Sequence, residues 1–329
     1  MEIAVMCRVP VAERMGFAPR IQELTERSSA LGLNQSASLG AHLIAMLHAE
    51  SDDFGGAATH SVRSAEISRT ADPRVTAYAM ANTARCLLFI ERDIPRAQSL
   101  LNEVEAIVGE VGGDHIEIPL GLGFLYAHRG ENQRAIAELE RAWQMAGLEQ
   151  DHWREFVAGE RLVTLALEAG DLDTAQRHLD RLAPVATKMT GGSEDIRTEV
   201  LAALTRFARG EDVDVRTPIE QLRVVDSKSD LAWALTFIAS IELQRGQVKD
   251  AQRDAEEALA AAELVGRASL AALARTIIAS LSPSGKTKQI IGPSLKAETF
   301  TNLSEYAKKR VREFTKEATH GKHGRRTNV

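Results

Sequence analysis

The sequence predicts an all-α protein made of stacked helical hairpins, and three observations carry that prediction. Hydrophobic residues make up 44% of the 329 but aromatics only 5%, and Ala and Leu supply much of the rest, a texture of closely packed helices more than of a barrel or sandwich. Within "LGLGFLYAHRGENQRAIAELERAW", Leu122, Leu125 and Tyr126 recur on one helical face, "RGEN" interrupts it, and Ala135, Leu139 and Ala142 recur on the next. The interruption itself repeats at a steady step. From Asp53 to Asp93, Gly130, Gly170, Gly210 and Gly246 the steps are 40, 37, 40, 40 and 36 residues, a period that means stacked helical hairpins.

Each element of that pattern has a physical reason. Two helices leave one face of their pair uncovered, so every hairpin must bury it on a neighbour. Gly or Asp at the turn lets the backbone leave the first helix through a conformation that a side chain hinders. Small residues then let the second helix approach closely: Ala135 and Ala142 follow Gly130, and Ala251 and Ala258 follow Gly246 at the same offsets. Gly170 has Ala175 but then Leu182, and the Gly210 unit lacks the later alanines.

In chain order this reads as a lead and partial hairpin over 1–34, a repeat array over 35–282, a linker over 283–297 and a basic amphipathic helix with its tail over 298–329. The lead to about Gly32 supplies one helix of an incomplete hairpin. An uncovered repeat face of that kind suits self-association, so a homo-oligomer is expected there.

Around Gly130 the residues resemble the tetratricopeptide repeat. Leu122, Gly123 and Tyr126 stand at its Leu-Gly-x-x-Tyr positions, and Ala135, Leu139 and Ala142 at its Ala, large apolar and Ala positions; the other units match in part, and steps near 40 exceed the family's usual 34. The resemblance spans roughly residues 35–282 and implies a right-handed α-solenoid of about six hairpins whose first helices line a concave groove. Carried over from the turns, the groove candidates are Asn82, Glu117, His128, Glu160, Thr164, Arg197, Thr236 and Ser240, which would hydrogen-bond an extended protein or peptide partner, with charge pairing at Arg197. The texture is also similar to the C-terminal sensor regions of bacterial signal-transduction ATPases, nucleotide cyclases and transcriptional activators. The expected function is therefore a non-catalytic interaction scaffold. The alternative is the sensor part of a transcriptional or nucleotide-signalling regulator whose basic tail contacts nucleic acid or a partner chain.

Charge separates body from tail. The formal net charge is -6, but the residues from Lys286 onward carry +7, leaving -13 on the rest. In the tail, Phe300, Leu303, Ala307, Val311 and Phe314 form one helical stripe, with Lys308, Lys309, Arg310, Arg312 and Lys316 largely off it and Asn302 with Glu305 placed for a capping box. Such a helix contacts an anionic surface, a nucleic-acid backbone, or the acidic array itself.

No residues point to chemistry. "SLSPSGKTKQIIGP" contains, at Gly285-Lys286-Thr287, the second half of a phosphate-loop motif, but Ser280 stands where its first glycine belongs, Pro283 removes an amide donor and Gly292-Pro293 stops any following helix. A linker explains those residues better. His42 and His48 are on different faces of one helix, and His128, His152 and His178 fall in different repeats, so no metal or other cofactor is expected. Cys7 and Cys86 are expected to be buried and reduced. With no long apolar run and no signal-peptide pattern, the expected location is the cytoplasm.

Overall fold

The computed structural model describes residues 15–51, 53–112, 115–189, 193–281 and 303–320. Fifteen α-helices follow a short 3-10 turn at Met15–Phe17, and there is no strand among the described residues. They are α1 (Ala18–Ala30), α2 (Asn34–Glu50), α3 (Phe54–Ser68), α4 (Pro73–Phe89), α5 (Ile94–Val111), α6 (Glu117–His128), α7 (Asn132–Glu149) and α8 (His152–Ala169). After them come α9 (Leu172–Ala186), α10 (Glu194–Ala208), α11 (Arg216–Val224), α12 (Lys228–Gln244), α13 (Val248–Val265), α14 (Ala268–Leu281) and α15 (Glu305–His320). None of the described helices is long and apolar enough to cross a membrane.

The chain forms two compact units, one running to Ala202 and the other starting at Ala203, with the His128–Gly130 turn grouped with the second. Within each unit, most helices adjacent in sequence pack on one another, and α2 also touches α4 as α12 touches α14.

The turns divide into two kinds. Gly130, Gly170, Gly210 and Gly246 take left-handed φ of 72°, 74°, 83° and 74°, where a Cβ is strained. Asp53 instead has φ -83° and caps α3 by accepting from the Gly56 amide. Asp93 does both, with φ 46° and a bond from the Arg96 amide. Asp151 and Asp171 cap α8 and α9 in the same way, and such caps contribute about 1 kcal/mol each.

The predicted packing positions are sealed: Ala135, Ala142, Ala175, Leu182, Ala251 and Ala258 are all fully buried. Gly123 lies so close to α7 that a Cβ there would meet the Leu139 Cγ at 2.6 Å. Leu182, where the alanine pattern fails, has its compensation on the facing helix. A Cβ on Gly159 would lie 2.6 Å from the Trp143 ring and 2.9 Å from a Leu182 methyl, so the small residue has moved from one helix to the other. The irregular Gly210 unit is also explained, because its second helix, α11, has only nine residues and buries Ile219 and Leu222 in place of alanines.

Hydrogen bonds carry the repeat step as well. In the first unit they join Asn34 to Thr70, His42 to Asn82, Glu117 to Arg154, and Glu140 to Arg181, separations of 36, 40, 37 and 41 residues. In the second unit Phe207–Arg245, Arg216–Asp254 and Ser229–Arg267 are each 38 apart.

The tail helix is packed, not free. Leu303, Ala307 and Val311 bury against Ala272 and Leu273 of α14, and Phe314 joins Ala239, Ala255 and Ile277. Its cap is Ser304, whose Oγ accepts from the Ala307 amide while its own amide donates to the Ser269 Oγ at 3.0 Å. The expected partner Asn302 lies outside the described residues, as do Phe300, the linker at 283–297 and Cys7. Cys86 is half-buried, not fully enclosed, since it stands next to the partly exposed Arg85 on α4.

Candidate functional site

The most extensive polar network of the first unit is gathered from four helices: α2, α4, α6 and α8. Glu117, at the first turn of α6, is fully buried. One carboxylate oxygen accepts from Arg154 Nε on α8 at 2.6 Å, the other from Arg85 Nε on α4 at 3.2 Å. Arg85 also donates to Asn82 Oδ1 at 2.6 Å, which orients the Asn82 amide nitrogen toward His42 Nδ1 on α2, 2.8 Å away. His42 Nδ1 is therefore the acceptor, and Nε2 carries the proton toward the Tyr78 oxygen at 2.8 Å. Arg154 closes the circuit by donating to that same oxygen at 3.1 Å and to Asp151, the cap of its own helix.

Aromatic rings wall the cations. Trp153 lies under Arg85 and Arg154, with guanidinium carbons 5.2 and 5.9 Å from its ring, and Tyr78 meets His42 and His115 edge-on at 5.2 and 4.9 Å. His115 in turn accepts the Glu117 amide through Nδ1 at 3.2 Å. Trp153, Tyr78 and His115 remain partly exposed, and the side chains of Arg85 and Arg154 are 12% and 19% exposed.

The electrostatics follow from that geometry. Burial by itself pushes the Glu117 carboxyl up, but the two guanidiniums more than reverse it and hold it at about 2. Burial pushes His42 down to about 4, so it is neutral at neutral pH. Burial, with the Glu117 charge, raises Tyr78 to about 12. Both Glu117 oxygens are taken by charged donors, which makes the carboxylate the anchor that fixes two arginines and not a base open to a ligand.

The sequence-predicted groove residues divide accordingly. Asn82 and Glu117 belong to this one network, and both are buried rather than presented to a partner. Glu160 pairs with Arg197, which also lies over Phe156 at 5.1 Å. Thr164 is partly buried, donates to the Arg161 carbonyl at 3.0 Å and accepts from its guanidinium at 3.2 Å. His128 ends α6 partly buried. In the second unit Thr236 and Ser240 are buried, their hydroxyls turned back to the carbonyls of Ala232 and Thr236.

In the tail, Lys308 and Arg310 pair with Glu305 and Glu313. Lys309 is 76% exposed, Arg312 is also exposed, and the Lys316 side chain lies outside what is described.

Sequence reasoning missed His42, Tyr78, Arg85, His115, Trp153 and Arg154. The available signal was the step itself: Glu117 to Arg154 and Glu160 to Arg197 are both acid-to-arginine pairs at 37 residues. No protein-family model matches the chain, and no curated protein matches it in sequence.

Proposed function

We propose that this chain is a non-catalytic interaction module, a right-handed, tetratricopeptide-like array of about six hairpins that takes a protein or peptide segment along the side offered by its first helices. The observation that supports this reading is the Tyr78–Arg85–Trp153–Arg154 surface. Its planar cations and rings are held by bonds from four helices and are partly open to solvent, and Trp, Tyr and Arg are the side chains that most often carry binding energy at protein interfaces. Because Glu117 and Asp151 already fix the arginines, a partner spends little entropy in ordering them.

The test compares capture from native lysate by the full chain, by Trp153→Ala and by Lys309→Glu. Partners retained by the Lys309 variant and lost by the Trp153 variant support the groove. The opposite pattern transfers recognition to the tail helix and overturns the proposal. Charge reversal is the informative tail change, since deleting α15 would also uncover Ala272, Leu273 and Ile277.

A further inference from the structure

A second buried charge cluster lies within the unit that begins at Ala203. Arg216, the first residue of α11, donates to Glu242 Oε1 on α12 at 2.8 Å and to Asp254 Oδ2 on α13 at 2.6 Å. Asp254 Oδ1 accepts from Arg253 at 2.9 Å. Glu242 and Asp254 are 3% and 1% exposed, with Ala239 and Ala255 of the same two helices fully buried among Ile277 and Phe314.

Both Asp254 oxygens are satisfied, but Glu242 Oε2 is buried with no hydrogen-bond partner. An ionised oxygen left dry and without a donor costs several kcal/mol by order of magnitude. A proton on that oxygen removes the charge and supplies a donor toward Asp254.

The other charges around the pair do not replace that proton. On α13, Asp250 adds a further negative charge, while Arg253 divides itself between Asp250 and Asp254. Arg275, the one charged residue of α14, is tied to Glu263. On α15, Glu313 is held by Arg310, and Arg206 at the end of α10 by Glu211. Among the described residues Arg216 is the one cation bonded to both carboxylates.

We propose that Glu242 holds a proton on its unpaired oxygen in the folded chain, beside the Asp254 carboxylate, so that the junction of α11, α12 and α13 is a proton-sensitive joint that loosens when the proton leaves. Burial first, and the Asp254 charge next, raise the Glu242 carboxyl to about 7 against the pull of Arg216. The sign follows from linkage. The folded chain binds this proton more tightly than the unfolded chain, so the stabilisation is complete below the ordinary glutamate value of 4.5 and is lost as pH rises through about 7. The joint therefore firms on mild acidification and relaxes on the alkaline side of neutrality. This does not rest on the interaction reading above, and the test below involves no partner.

The experiment is a pH series of urea unfolding on the full chain and on Glu242→Gln, with carbon-13 NMR of labelled glutamate carboxyls. The expected result is a folding equilibrium that weakens by up to about tenfold per pH unit on approaching neutrality and levels off above it. That slope should be absent in Glu242→Gln, and one glutamate carboxyl should titrate near 7 in the unaltered chain. Should Glu242→Gln fail to fold, Asp254→Asn takes its place and should bring the high midpoint down toward the ordinary glutamate range. No glutamate titrating above the ordinary range, an unchanged slope in Glu242→Gln, or an unmoved midpoint in Asp254→Asn overturns the proposal.

Discussion

In both units buried carboxylates meet arginine, in different proportions. Around Glu117 one carboxylate faces two guanidiniums; around Arg216 two carboxylates face one shared guanidinium. The first carboxyl is held at about 2 and the second is raised to about 7, although burial pushes both upward. Burial sets the size of the penalty, and the ratio of opposite charges decides which way it is resolved. One cluster is a fixed brace around neutral pH, the other a joint that titrates there.

The largest test of that contrast is Glu117→Ala, which leaves Arg85 and Arg154 without their shared anion. A loss of about 3–5 kcal/mol at neutral pH is expected in urea unfolding, and a loss under about 1 kcal/mol would show that the network is not a brace. Arg85→Met comes next, reducing the ratio to one cation per carboxylate. It should cost about 1.5–3 kcal/mol, the range for hydrogen bonds to charged groups, and carbon-13 titration should find the Glu117 carboxyl moved upward.

The acid limb sharpens the comparison with near-isosteric changes. Glu117 is depressed on folding, so its contribution is complete above 4.5 and declines as pH falls toward about 2. Glu117→Gln should flatten the acid-side fall in stability, whereas Glu242→Gln should flatten the neutral-side slope. Exchanged effects would refute the assignment. The smallest expected change is Lys309→Ala on the exposed side of α15, within about 0.5 kcal/mol of the parent, which calibrates what a surface charge contributes in this chain.

The helical architecture was legible because its signals are local. The turns at Gly130, Gly170, Gly210 and Gly246, and the buried alanines after Gly130, Gly170 and Gly246, stand where the step places them. Leu182 was unreadable as a packing residue, because the glycine that accommodates it, Gly159, lies on the preceding helix α8 and outside the turn-and-alanine pattern. Asp53 looked like the other turn residues, yet its short carboxylate caps the following helix and needs no left-handed backbone. The site was less legible for the same reason. Asn82 and Glu117 were singled out as polar residues on first helices, but whether such a residue faces solvent or a guanidinium is decided by helices about forty residues away. In the tail, Lys309 and Arg312 lie exposed off the apolar stripe, while the seat of that stripe on α14 is a tertiary fact.

That seat has a consequence for assembly. A stack of hairpins is open-ended by construction, and the exposed side of its last helix is a template on which another copy can continue the stack. By lying over Ala272, Leu273 and Ile277 and turning Lys309 and Arg312 outward, α15 replaces an apolar helix face with a charged one.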